Sequence, residues 1–151
     1  MKSNVKISSA IFLAMCMTLV LSLFSGCQKD NNDDDDGDAR EGYLGMYQVE
    51  ETFKNEGGSI SYDSYIITID ASTNKKQEVL ISNFMGLGDY LVVTATVKGN
   101  SLTIPKQTID ADISAEIKGS GTKKGNSLNL SFSVTLKDGR RATVTCEAEK
   151  M

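Results

Sequence analysis

The chain has no histidine and no tryptophan, and only one proline, among its 151 residues. Without histidine, no mechanism can use imidazole as base, proton shuttle or metal ligand. No metal-ligand spacing, phosphate-binding loop or nucleophile elbow is present either, so the sequence reads as that of a protein that is not an enzyme and carries no cofactor or metal. Also missing is a helical period of useful length beyond Tyr43.

Positive charge is scarce where it would matter. The net charge is −4, with 16 basic and 20 acidic residues. Residues 27–41 hold seven of the acids (Asp30, Asp33, Asp34, Asp35, Asp36, Asp38, Glu41) against Lys29 and Arg40. The rest, from Gly42, carries 13 acids and 12 bases and is close to neutral. No basic face is suggested, so nucleic acid is not an expected partner.

The N-terminus reads as an address. Met1–Lys6 is basic, and Ala10–Phe24 is almost wholly apolar and then gives way to Ser25 and Gly26. That is a secretory signal over residues 1–26. Its apolar run is about 15 residues, short of the roughly 20 that span a bilayer. Leu23-Phe24-Ser25-Gly26-Cys27 resembles a bacterial lipobox, although Phe24 stands where the usual pattern has leucine. The resemblance implies lipidation at Cys27, with a membrane partner through N-terminal acyl chains. Two or three chains, at about 0.8 kcal/mol per buried methylene, anchor stably. Residues 27–41 form an acidic tether whose like charges keep it extended and disordered. Cys27-Gln28-Lys29-Asp30 and the acids after it resemble the export signal of surface lipoproteins of the phylum Bacteroidota, which implies an outer-membrane protein facing the cell exterior. Asn32, Asp34, Asp36 and Gly37 partly match a calcium loop, but the twelfth position is Tyr43 and no helix flanks it.

Residues 42–151 read as one small β domain. Ser127–Leu136 alternates without error, with Leu128, Leu130, Phe132, Val134 and Leu136 on one face. Arg141–Glu149 repeats the pattern with Ala142, Val144, Cys146 and Ala148. Cys146, left without a partner, is expected to act as a small buried hydrophobe. Further strands are expected over Tyr43–Phe53, Tyr65–Asp70, Gln77–Phe84, Tyr90–Val97, Leu102–Ile104 and Asp112–Lys118, the last with Ile113, Ala115 and Ile117 inward. Lys98-Gly99-Asn100-Ser101 and Lys124-Gly125-Asn126-Ser127 read as hairpin turns. Pro105 ends strand five or marks a bulge. Eight strands with no helix to cover their apolar side must curl into an eight-stranded antiparallel up-and-down barrel, with a two-sheet sandwich as the alternative.

Several segments are similar to the small lipocalin-like β-barrel lipoproteins of Bacteroidota: Gly42–Glu51, Val79–Phe84, Val97–Pro105 and Gly119–Thr122. Gly45-Met46-Tyr47 resembles the lipocalin opening Gly-x-Trp, with Tyr47 in the aromatic place. The resemblance implies a barrel that binds a small apolar or amphipathic ligand. The other reading is a filled barrel serving as a surface interaction protein, such as an inhibitor, an adhesin-like subunit or an accessory subunit, with a protein partner.

Strand parity puts two polar residues on the apolar face. Glu51 shares the parity of Tyr47, Val49 and Phe53; Asn83 shares that of Val79 and Ile81. Inside a barrel either would be a handle for a ligand. The plainer expectation places Glu51 at a frayed or bulged rim in water, and Asn83 on backbone at a strand end. The candidate ligand-binding set is therefore Tyr47, Glu51, Asn83 and Phe132, with Tyr43, Tyr62, Tyr65 and Tyr90 as further pocket aromatics.

Overall fold

The structure is a computed structural model that describes residues 38–110 and 114–151. The signal, Cys27, most of the tether and Ile113 lie outside the described residues.

Eight strands form a closed barrel: β1 (Gly45–Asn55), β2 (Gly58–Ala71), β3 (Glu78–Ser82), β4 (Val92–Lys98), β5 (Ser101–Asp110), β6 (Ser114–Lys124), β7 (Ser127–Leu136) and β8 (Arg141–Lys150). Each pairs antiparallel with its chain neighbours, and β8 returns to β1, from Tyr47↔Lys150 to Lys54↔Thr143. The architecture is the up-and-down barrel that the alternation requires, and the sandwich is excluded by that closing pair. Burial follows parity. In β7 the residues from Leu128 to Val134 alternate buried and exposed, and β8 does the same from Ala142 to Ala148. Each buried valine, leucine or isoleucine contributes about 1.5–3 kcal/mol. All described strands and core members lie between Tyr43 and Lys150, so the compact unit Asp36–Met151 carries its own hydrophobic core, as a domain that folds alone must.

Two tight hairpins have glycine first and asparagine second. Gly99 and Gly125 sit at φ 56° and 60°, while their asparagines keep negative φ. That is the type II′ pattern, whose twist suits paired strands. Some elements, β2 and β5 among them, are longer than their hydrophobic patterns. β2 begins seven residues before Tyr65, in a polar stretch that pairs with β1 alone. β5 continues past Pro105, where the β5–β6 register shifts between Ile104 and Gln107. The lone proline thus marks a bulge. Beyond it the Gln107 side chain stands in for a strand backbone: its Oε1 accepts from Thr94 N at 3.1 Å and its Nε2 donates to Thr94 O at 2.8 Å.

Two elements are shorter than their patterns. β3 stops at Ser82, and a single 3-10 turn, Phe84–Gly86, replaces its expected end. β4 starts at Val92, leaving Leu91 in the connection.

Two inward positions of β6 are glycines. A Cβ on Gly119 would lie 2.3 Å from Phe132 Cβ, and one on Gly121 2.5 Å from Leu130 Cδ2. Their absence lets the β7 side chains lean across β6, so β6 can coil tightly round the core.

Candidate functional site

The two ends of the barrel differ. At the base, neighbouring strands stay paired: β4 meets β5 from Thr96 to Lys98, and β2 meets β3 from Thr68 to Ala71. Tyr43 and Tyr47 fill the interior there. Tyr47 is fully buried, and burial pushes its hydroxyl up to about 12. The Tyr43 hydroxyl donates to Gly99 O at 3.0 Å, and the Tyr47 hydroxyl makes a long contact to Gly42 O at 3.5 Å. Arg40 ties the seam from outside. Its Nη1 donates to Ser72 O at 2.7 Å, Lys75 O at 3.1 Å and Glu78 O at 3.4 Å. Asp38 orients the guanidinium through bonds of 2.5–2.9 Å, and those bonds hold its own carboxyl down at about 2. Residues 38–41, read from sequence as the end of the tether, are therefore part of the base.

Toward the other end the barrel splays. β2 leaves β3 above Thr68, and β4 leaves β5 before Thr96. β1 and β2 run on as a hairpin ribbon to the turn at Glu56 and Gly57, with β1 still paired to β8 as far as Lys54. This mouth holds a cavity of about 1140 Å3. Phe53, Tyr62 and Tyr65 line one wall, Val134, Leu136 and Ala142 another, and Met85 and Leu87 of the β3–β4 connection a third. The rim carries Glu56, Asp63, Asp138, Arg140 and Arg141.

A bulge shapes the aromatic wall. Val49 pairs with Tyr65 but Glu51 pairs with Tyr62, so β2 carries one residue more than β1 over that interval. The extra residue resets parity. Tyr62 and Ile60 thereby come to the inner side of the ribbon, opposite Glu51 and Phe53. Tyr62 meets Phe53 edge to face, with ring centroids 6.4 Å apart. Ile60 and Tyr62 remain 54 % and 53 % exposed, forming an apolar lip.

Glu51 is the polar centre of this cavity. It is only 4 % exposed. The bulge is real, but it falls on β2, while β1 continues regularly against β8; Glu51 therefore points inward, contrary to the expectation of a rim position in water. Its Oε2 accepts a short hydrogen bond from the Tyr65 hydroxyl and a contact of 3.6 Å from Cys146 Sγ. Its Oε1 has no hydrogen-bond partner among the described residues. Since no described buried side-chain oxygen or nitrogen is left unpaired, Oε1 must be one that reaches open space, and Glu51 lines the cavity. Burial pushes the Glu51 carboxyl above its ordinary range, against the pull of the two donors. The Tyr65 hydroxyl and the Cys146 thiol are raised too, again chiefly by burial. All three groups are thus biased toward their protonated forms.

The other candidates fall elsewhere. Tyr47 belongs to the plugged base. Asn83 is not a ligand handle: it turns out of the sheet at φ 55°, donates from Nδ2 to Ile66 O at 2.7 Å, and accepts at Oδ1 from Gly88 N at 2.8 Å. It fastens the β3–β4 connection to β2, which is the backbone role that a strand-end position allows. Phe132 packs on Phe84 with centroids 4.8 Å apart, one inward position further from the mouth than Val134, and does not line the cavity. Tyr62 and Tyr65 line the cavity, and Tyr90 does not. Cys146 is buried and free as its alternation implies, and it also serves Glu51.

Two contributors had no sequence signal. Met85 lies in the left-handed region at φ 59°, a strained place for a long side chain, and Gly86 packs against the Tyr65 ring. Among the described residues no cluster of three or more acidic or cysteine side chains is placed to hold a metal ion.

No protein-family model matches the chain, and no curated protein matches it. Among solved structures, the chain is similar to a protein of unknown function from Bacteroides ovatus, at a TM-score of 0.45 and 14 % identity. The match covers 72 % of this chain and 41 % of that protein.

Proposed function

We propose that this protein is a lipid-anchored outer-membrane lipoprotein, exposed to the cell exterior, whose barrel binds a small apolar or amphipathic ligand without catalysing a reaction. One observation carries the ligand half: the barrel is plugged by tyrosines at one end, while the other end holds a cavity of about 1140 Å3 around a buried carboxyl group. That volume is a little above the roughly 300–1,000 Å3 of ordinary small-molecule sites, which are mostly apolar with a few placed polar groups. A barrel serving only as a scaffold would gain by filling the space. The anchor half is supported by the lipobox-like Ser25-Gly26-Cys27, the acidic run after it, and the resemblance to lipocalin-like lipoproteins of Bacteroidota.

Native mass spectrometry of the protein purified from its own cells tests the ligand. An adduct of defined small-molecule mass that is lost on unfolding is expected; a bare protein mass throughout would favour the filled-barrel interaction protein. Cys27→Ser tests the anchor, because the thiol is the acylation nucleophile. The variant should leave the membrane fraction or keep its leader. Full membrane partition of a cleaved Cys27→Ser protein would contradict lipidation.

A further inference from the structure

The cavity has a charge preference. Of its lining residues Glu51, Glu56, Asp63 and Asp138 are acidic and Arg140 and Arg141 basic. Arg140 is already occupied by Asp138, its Nε lying 2.7 Å from Oδ2. The rim therefore carries one more acidic than basic residue, and the lining adds the carboxyl group of Glu51. Low-dielectric walls focus the field of these charges on whatever enters.

Glu51 adds an unmet demand. It is 4 % exposed, its Oε2 is served by Tyr65 and Cys146, and its Oε1 has no partner among the described residues. An ionised carboxylate buried among apolar side chains is costly unless a cation meets it. No lysine or arginine of the described residues forms a salt bridge with Glu51. Beside it stand Phe53, Tyr62 and Tyr65, whose rings attract cations and pack against alkyl chains.

We propose that the mouth cavity selects an amphipathic primary ammonium ion, seated with an N–H on Glu51 Oε1 and with its apolar body against Phe53, Tyr62, Leu136 and Met85. This rests on the reading of the mouth as a ligand site and narrows it to one chemical class. Oε1 accepts one N–H, and the remaining two point up the cavity toward the acidic rim. Binding favours the carboxylate, so a Glu51 that is protonated beforehand gives its proton to solvent as the ammonium arrives. The titratable groups facing Glu51 are Tyr65 and Tyr62 from β2 and Cys146 from β8; the charged groups of the rim are the five named above. A carboxylate-headed ligand meets the opposite situation: outside the Asp138–Arg140 pair, its head faces Glu51 below and Glu56 and Asp63 above, against Arg141 alone among the described lining residues.

Calorimetric titration of residues 36–151 with decylammonium, 1-decanol and decanoate, each well below micelle formation at pH 7, tests this. Decylammonium should bind ~10-fold or more tightly than decanol, as a charge-assisted hydrogen bond allows, with decanoate weakest. Glu51→Gln keeps the shape and removes the charge. It should bring decylammonium down to within about threefold of decanol bound to the same variant. Decanol matching decylammonium, or decanoate binding best, would overturn the ammonium preference and leave the ligand site standing. A preference that survives Glu51→Gln would overturn the seat on Glu51. If none of the three binds, the ammonium preference and the ligand site fail together. The wild-type series alone is decisive should the variant fold poorly.

Discussion

The base and the mouth of this barrel are built on the same eight strands, yet one is sealed and the other hollow. At the base the ladders are unbroken, two tyrosines occupy the axis, and Arg40 ties three carbonyls from outside. At the mouth two seams open, and the groups that bridge them are side chains: Gln107 across β4–β5 and Asn83 between β2 and the β3–β4 connection. The difference shows where the sheet is held by its own backbone and where it is held by side chains that leave room inside. Backbone pairing draws strands close, and inward residues must then fill the axis. Side-chain bridges let strands part, and the inward residues become walls.

Two truncations on one strand would break this contrast if it is wrong. Phe132 lies in the filled layer against Phe84, and Leu136 lines the cavity two inward positions further on. Phe132→Ala should cost about 3–5 kcal/mol, as large core truncations do. That is a large share of the roughly 5–15 kcal/mol that such a domain holds. Leu136→Ala should cost only about 1–2 kcal/mol, because its side chain already faces space and has less packing to lose. Urea melts of the two variants measure both. Equal costs would mean that the mouth is packed like the floor.

A smaller effect sharpens the comparison by pH. Glu51 titrates above its ordinary value of 4.5 in the folded state. Below that value the group is protonated in both states and contributes no pH dependence. Above it the unfolded chain releases the proton first and so binds fewer protons than the folded one. Stability therefore falls as pH rises from about 4.5 until the folded group has ionised as well. Asp38, at the base, has the opposite sign: its depressed value of about 2 means that its contribution is lost as pH falls below the ordinary 3.8. Glu51→Gln should remove the decline above pH 4.5 and leave the acid limb in place. Melting temperatures of wild type and variant between pH 3 and pH 8 check this; parallel curves would contradict a buried, uncompensated Glu51.

Much of the barrel was legible as alternation. β7 was read to its ends, and β8 to within one residue, because each inward side chain is apolar and each outward one polar. The first half of β2 was not legible, since its three serines, one glycine and one aspartate surround Ile60 and Tyr62, and the stretch pairs on one edge only and buries nothing. β5 beyond Pro105 was hidden for a related reason: its bulge breaks parity, and Gln107 does the work of a backbone. The site was half legible. Parity placed Glu51 on the inner face, but a single strand shows none of the neighbours that let it stay there. Tyr65 lies 14 positions away and Cys146 lies 95 away, and both meet it only once the barrel closes. Asn83 takes the backbone role expected of a strand end, because parity holds only while the chain stays extended and at Asn83 it turns left-handed. Arg40 was lost in an acidic run, where its bonds to the β2–β3 turn leave no sequence trace.

The hollow mouth is tested most directly by filling it. Ala142 lines the cavity on β8 opposite Val134, and the chain has no tryptophan of its own. Ala142→Trp should therefore place an indole in the cavity and at the same time supply a unique fluorescence reporter. Titrated with Nile red, an uncharged apolar dye, wild type should bind it. Tyr47→Leu, altered only at the plugged base, should bind within about threefold of wild type. Ala142→Trp should lose binding by about tenfold or more while folding cooperatively, with its indole emission shifted to the blue. Undiminished dye binding by Ala142→Trp, or a loss caused by Tyr47→Leu instead, would contradict a ligand site at the mouth.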